Sequence, residues 1–132
     1  MKKIEHLGIA VKDLEASKLL FEKLLNTSCY KEEKVDSEKV TTAFFRNGPN
    51  KIELLAPMSG EGPIQKYLDK KGEGIHHIAF AVDDIYKEKE RLEQEGFICL
   101  NDEPKEGADN KLVCFFHPKS TNGVLIELCM DK

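Results

Sequence analysis

Apolar residues alternate with small or polar ones over residues 4–11 and again over residues 75–82, the period of a strand with one buried face. An acidic helix start follows each run: Asp13 in the first case, Asp83-Asp84 in the second. Helices are predicted over residues 14–25 and 85–95. Leu14, Ser17, Leu20, Phe21, Leu24 and Leu25 give the first an apolar stripe; Ile85, Lys89, Leu92 and Phe97 give the second a weaker one. Asn26 and Gly96 close them, both residue types that tolerate the left-handed conformation. Three more strands are expected in each half, over residues 29–33, 40–47 and 51–56, then 97–100, 111–117 and 124–130. Between the halves, residues 63–71 read as a short helix built on Ile64, Tyr67 and Leu68, followed by the hinge Lys71-Gly72-Glu73-Gly74.

This succession is strand, helix, strand, strand, strand, and it occurs twice. The residues repeat with it. His6-Leu7-Gly8-Ile9-Ala10-Val11 lies over His77-Ile78-Ala79-Phe80-Ala81-Val82, and Ala43-Phe44-Phe45 lies over Cys114-Phe115-Phe116, both at an offset of 71 residues. Ile52-Glu53-Leu54-Leu55 lies over Ile126-Glu127-Leu128-Cys129, three residues further on, and a longer loop around residues 117–123 accounts for the difference. Self-similarity of this kind marks a duplicated structural unit. The expected fold is α+β, one domain over residues 1–132 made of two βαβββ modules at about 1–58 and 74–132, linked by 59–73.

A length of 132 residues with 40% hydrophobic and 33% charged content is that of one soluble globular domain. There is no apolar run near the roughly 18 residues of a membrane span and no basic-then-apolar signal segment. The net charge of −4 argues against a nucleic-acid surface. Cys29, Cys99, Cys114 and Cys129 form no CxxC pair, so they read as reduced cytoplasmic thiols rather than zinc ligands.

The candidate chemistry lies in the repeat. Successive strand residues face opposite sides, so Leu7, Ile9 and Val11 share a bulky face, as do Ile78, Phe80 and Val82. The other face carries a histidine followed by two small residues, His6-Gly8-Ala10 and His77-Ala79-Ala81, which leaves room for a ligand. Glu127 interrupts an otherwise apolar strand, where an uncompensated carboxylate is costly, and Glu53 holds the matching place. Two imidazoles and two carboxylates make a site of net charge −2 that a divalent ion neutralises. The mixed nitrogen and oxygen set suits Co, Ni, Mn, Zn or Fe. The four candidate ligands are His6, Glu53, His77 and Glu127. His76 faces the other way from His77 and reads as packing or as a support behind the ligands. His117, before Pro118, is a loop histidine or a pocket residue.

Several segments are similar to the vicinal oxygen chelate superfamily, which contains glyoxalase I, and within it to the epimerases. They are Ile4-Glu5-His6-Leu7-Gly8-Ile9-Ala10-Val11, Lys51-Ile52-Glu53-Leu54-Leu55-Ala56-Pro57, Gly72-Glu73-Gly74-Ile75-His76-His77-Ile78-Ala79-Phe80 and His117-Pro118-Lys119-Ser120-Thr121-Asn122-Gly123. Gly62-Pro63-Ile64-Gln65-Lys66-Tyr67-Leu68 and Asp102-Glu103-Pro104-Lys105-Glu106-Gly107-Ala108 add to them. The resemblance covers nearly the whole chain. It implies the glyoxalase/bleomycin-resistance fold, a curled sheet around a metal site, and a homodimer acting on an acyl-CoA substrate. It also implies a metal-dependent isomerase that interconverts (R)- and (S)-methylmalonyl-CoA through an enolate. General bases on two faces of the substrate exchange its α-proton. Glu127 is the expected base and ligand; the opposite face is served by Glu53, or by a water held by Thr42. The chain departs from the epimerase pattern in two places: Glu53, as in glyoxalase I, stands where some epimerases carry Gln, and Thr42 where some carry a further catalytic Glu. Lys119 and Ser120 are candidates for the substrate's carboxylate or phosphate, or else belong to a solvated loop.

Glyoxalase I, which isomerises a glutathione hemithioacetal, is the alternative with the same chemistry. A non-catalytic module that sequesters a small molecule is another, and an extradiol dioxygenase shares the fold but needs a longer chain.

Overall fold

The computed structural model describes residues 1–132 and divides into two compact units, His6–His76 and a second that joins Met1–Glu5 to His77–Lys132. The first unit contains β1 (Lys3–Ala10) from His6 onward, α1 (Leu14–Leu25), β2 (Lys31–Val35), β3 (Val40–Asn47), β4 (Asn50–Pro57) and α2 (Pro63–Lys71). Its strands lie in the order β2-β3-β4-β1, with β1 parallel to β4 and the other pairs antiparallel. The second unit contains β5 (Gly74–Ala81) from His77 onward, α3 (Ile85–Gln94), β6 (Lys105–Glu106), β7 (Lys111–Phe116) and β8 (Ile126–Asp131). Its order is β5-β8-β7-β6, again with the first strand parallel to the last. The two units therefore share one topology, as the repeated sequence predicts.

Each parallel crossover is made possible by a helix that covers one sheet face. In the first unit Ile9, Val11, Ala43, Phe45 and Leu54 meet Leu14, Phe21 and Leu25 of α1. In the second, Phe80, Val82, Cys114, Phe116 and Leu128 meet Ile85 and Leu92 of α3. Asp13 caps α1 by accepting from the Ala16 N–H at 3.1 Å, and Asp84 caps α3 by accepting from Tyr86 and Lys87. Asn26 ends α1 in the left-handed region, at φ 53°. The helix α2 lies on the opposite face of the first sheet, where Ile64 and Leu68 pack on Ala10, Val40 and Leu55. In the second unit, Lys2 donates to the Ala81 carbonyl at 2.8 Å and its ammonium pairs with Asp83 at 3.2 Å.

Three expectations are corrected. Residues 97–100 make one bridge, Cys99 to Phe116, rather than a strand; the edge strand is Lys105–Glu106. The Asn101 side chain accepts from the Phe115 N–H at 2.8 Å and so removes it from the ladder, and Pro104 has no N–H to offer. The second strand of the first unit starts at Lys31, not Cys29, because the Cys29 N–H is engaged by the Glu22 carboxylate of α1 at 3.1 Å. Leu20 and Leu24 do not join the buried stripe of α1; they are 62% and 69% exposed, because at 100° per residue they lie to one side of the Leu14–Phe21–Leu25 line.

All four cysteines are free thiols. Burial, together with the adjoining Cys99 thiol, pushes Cys114 up to about 12. A thiolate-selective alkylating reagent at pH 8 is expected to label the partly exposed Cys29 and Cys99 and to reach Cys114 and Cys129 only after unfolding. Mass spectrometry of the labelled peptides checks this, and rapid labelling of Cys114 in the native protein would contradict it.

Candidate active site

The strand register explains how each unit assembles a polar pair on an apolar scaffold. In β1 the histidine is followed two residues later by Gly8, and Gly8 lies opposite Glu53 of the parallel neighbour β4. In β5 the histidine is followed two residues later by Ala79, and Ala79 lies opposite Glu127 of β8. Residues two apart on a strand share a face. Each carboxylate therefore reaches diagonally across a position with little or no side chain to meet the imidazole on its own face. The resulting distances are 3.3 Å from His6 Nε2 to Glu53 Oε1 and 3.0 Å from His77 Nε2 to Glu127 Oε1. All four residues are buried, at 3–5% exposure.

An aromatic residue backs each pair. Phe44 of β3 is directly opposite Glu53, and Phe115 of β7 is directly opposite Glu127. The Phe115 ring stands edge-on to His77, with centroids 5.7 Å apart. Phe44 in turn packs on Tyr30, at 6.0 Å. Each unit thus presents one nitrogen and one oxygen donor against a ring that keeps their surroundings apolar, where charge–charge and ion–ligand interactions are stronger than in water. The Phe44/Phe115 repeat is visible in the sequence, but its role depends on register and was missed there.

The other candidates are distributed differently. Thr42 is 1% exposed and lies two residues from Phe44, opposite Leu55, which puts it on the Glu53 face. Its hydroxyl donates to the Glu33 carbonyl of β2 at 3.3 Å. The Ser120 hydroxyl donates to the His117 carbonyl at 2.9 Å and accepts from the Ile98 N–H at 3.3 Å, so it ties its loop to residues 97–100. The Lys119 side chain is exposed in the same turn. The His117 ring caps that turn, its Nδ1 accepting from the Lys119 N–H at 2.9 Å. His76 packs edge-on against Tyr67 of α2, with centroids 4.9 Å apart.

Comparison with known proteins matches residues 5–115 to the family described as the Glyoxalase/Bleomycin resistance protein/Dioxygenase superfamily. The ethylmalonyl-CoA/methylmalonyl-CoA epimerase of Cereibacter sphaeroides is 39% identical over 128 residues, which span 96% of this chain and 96% of that protein. Among solved structures, a Streptomyces coelicolor methylmalonyl-CoA epimerase variant in complex with 2-nitronate-propionyl-CoA aligns with a TM-score of 0.94 at 30% identity, covering 99% of this chain and 95% of that one. The methylmalonyl-CoA epimerase of Mycobacterium tuberculosis aligns with a TM-score of 0.93 at 32% identity, covering 98% and 87%.

Proposed function

Because the chain belongs to the Glyoxalase/Bleomycin resistance protein/Dioxygenase superfamily, we propose that it is an isomerase that interconverts (R)- and (S)-methylmalonyl-CoA, with His6, Glu53, His77 and Glu127 holding one divalent ion. The observation that carries this reading is the repeated register, in which a buried histidine, a small residue and a buried glutamate recur in both units. It is supported by full-length relatives named for this epimerisation. The donor chemistry also fits a metal: two carboxylates buried in an apolar sheet call for compensating positive charge, and imidazole with carboxylate suits Co, Ni, Mn, Zn or Fe. When bound, the ion supplies positive charge to the thioester and carboxylate oxygens of the substrate.

The protein's own groups move the proton. Glu127 takes the α-proton from one face of the acyl group, and its low-exposure setting keeps bulk water from competing for it. Glu53 delivers a proton on the other face, or a water anchored by the Thr42 hydroxyl does so. Phe44 and Phe115 exclude solvent beside the two carboxylates. Lys119 is the candidate for pairing with the substrate's carboxylate; Ser120 acts on its position through the loop.

The reading includes a homodimer in the cytoplasm. Leu19, Leu20 and Leu24 of α1 are 61%, 62% and 69% exposed, apolar surface of a kind that association covers. Free thiols suit a reducing compartment. No helix is long and apolar enough to cross a membrane.

The test is isotope exchange. Metal-stripped protein, reloaded with one defined divalent ion at a time, is expected to incorporate deuterium at the α-carbon of methylmalonyl-CoA in D2O, with no exchange before reloading. Turnover of the glutathione hemithioacetal in place of the CoA ester would assign the protein to glyoxalase I chemistry instead.

A further inference from the structure

The sheet face that carries His6 and Glu53 changes character along the strands. Residues directly opposite one another in a ladder project to the same side, so the register sets side chains in rows. One row reads Lys31–Phe44–Glu53–Gly8, and the next reads Arg46–Lys51–His6. Beyond Glu53 in the other direction, α2 covers the surface at Ala10 and Leu55. In the opposite direction from the His6–Glu53 pair the same face leads to Arg46, Lys51 and Lys31, the last with its ammonium paired to the Glu33 carboxylate at 3.2 Å.

Arg46 is exposed, and its guanidinium carbon sits 4.2 Å from the centroid of Tyr30. A cation–π contact engages the flat face of the guanidinium and leaves its N–H donors pointing outward from the edge, where they match phosphate oxygens in pairs. Tyr30 is itself held against Phe44, so the arginine is stiffened by the same ring that backs Glu53. Arg46 and Lys51 lie directly opposite each other on neighbouring strands, so one anion can meet both cations. Across the sheet, Arg46 is two strands from His6, about 10 Å at ordinary strand spacing.

We propose that Arg46, stacked on Tyr30 and opposite Lys51, is the subsite for the phosphate groups of the acyl-CoA nucleotide, with the phosphate-free arm of the substrate running across β4 to the acyl group at the His6–Glu53 pair. The proposal rests on the acyl-CoA reading of the same face. It makes Arg46 a specificity residue that distinguishes a nucleotide-borne thioester from the same thioester on a shorter, uncharged carrier.

The experiment compares methylmalonyl-CoA with methylmalonyl-pantetheine, which lacks the phosphates, in the wild-type protein, Arg46→Ala and Arg46→Lys. One charge-assisted contact accounts for about a 10- to 100-fold difference. Arg46→Ala is expected to raise KM for the CoA ester by that factor, close to the value for the pantetheine ester, while Arg46→Lys recovers part of the loss. Raising the salt concentration should shrink the wild-type preference. Equal losses on both esters, or no loss on the CoA ester, would overturn the subsite. Calorimetric titration with CoA alone separates this from the epimerase reading. If neither ester turns over in the wild type, the catalytic assignment fails. Weaker CoA binding by Arg46→Ala would still support the subsite, and undiminished binding would reject it.

Discussion

Glu127→Gln is expected to reduce deuterium exchange into methylmalonyl-CoA by about 10³-fold, in the middle of the range for removing a general base. The substitution keeps the volume and one acceptor oxygen, so the β7–β8 ladder and the packing of Leu128 against α3 stay in place. What is lost is the negative charge beside His77 and, in the proposed mechanism, the group that accepts the proton. Metal content should fall with activity, because an amide is a much weaker ligand than a carboxylate. Circular dichroism and thermal melting serve as the control for folding. A variant that retains both exchange and bound metal would remove Glu127 from the site. Glu53→Gln provides the internal comparison. It too removes a charge from a matched position, but a smaller loss there would assign the opposite-face transfer to a water at Thr42 rather than to Glu53.

The second large effect is a contrast between adjacent residues. His77→Ala should weaken metal binding by more than about 100-fold, since loss of groups that only support a ligand already costs 10- to 100-fold. His76→Ala should leave metal affinity close to wild type. The two side chains leave β5 on opposite faces. His77 meets Glu127 at 3.0 Å, whereas His76 packs on Tyr67. Metal titration of the stripped proteins, read by calorimetry, checks both variants without any activity measurement. Loss of the ion from His76→Ala with retention in His77→Ala would reverse the assignment of the neighbours.

The two His–Glu pairs were readable in the sequence because duplication writes the same chemistry twice. A lone strand histidine or a lone buried glutamate has ordinary structural explanations; the order His6 then Glu53, repeated as His77 then Glu127 with three residues more between them, points to a duplicated pair. The helix caps and the α2 linker were equally legible, since Asp13, Asp84 and Pro63 act on backbone groups within one turn of themselves. The edge strand of the second unit was not. Whether residues 97–100 form a ladder depends on the Asn101 amide taking the Phe115 N–H, a contact between residues 14 apart. Ser120 was a substrate candidate on its position in a motif; that its hydroxyl also donates to the His117 carbonyl and accepts from the Ile98 N–H, 22 residues away, could not be read there. Arg46 and Tyr30 carried no signal at all, since they lie 16 residues apart and meet only because β2 and β3 pair antiparallel.

Local periodicity and capping thus determined the elements of this chain, and internal repetition their twofold order and the two buried His–Glu pairs, because all of these can be read along the sequence itself. Register decided the rest. The placement of Gly8 opposite Glu53 and of Ala79 opposite Glu127, the aromatic ring behind each carboxylate, and the cationic row beside His6 all follow from how strands slide against one another. A shift of one residue would turn every one of those side chains to the other face of its sheet. The long-range packing of α1 and α3 on the bulky faces opposes such a shift, and no single segment of sequence contains that information.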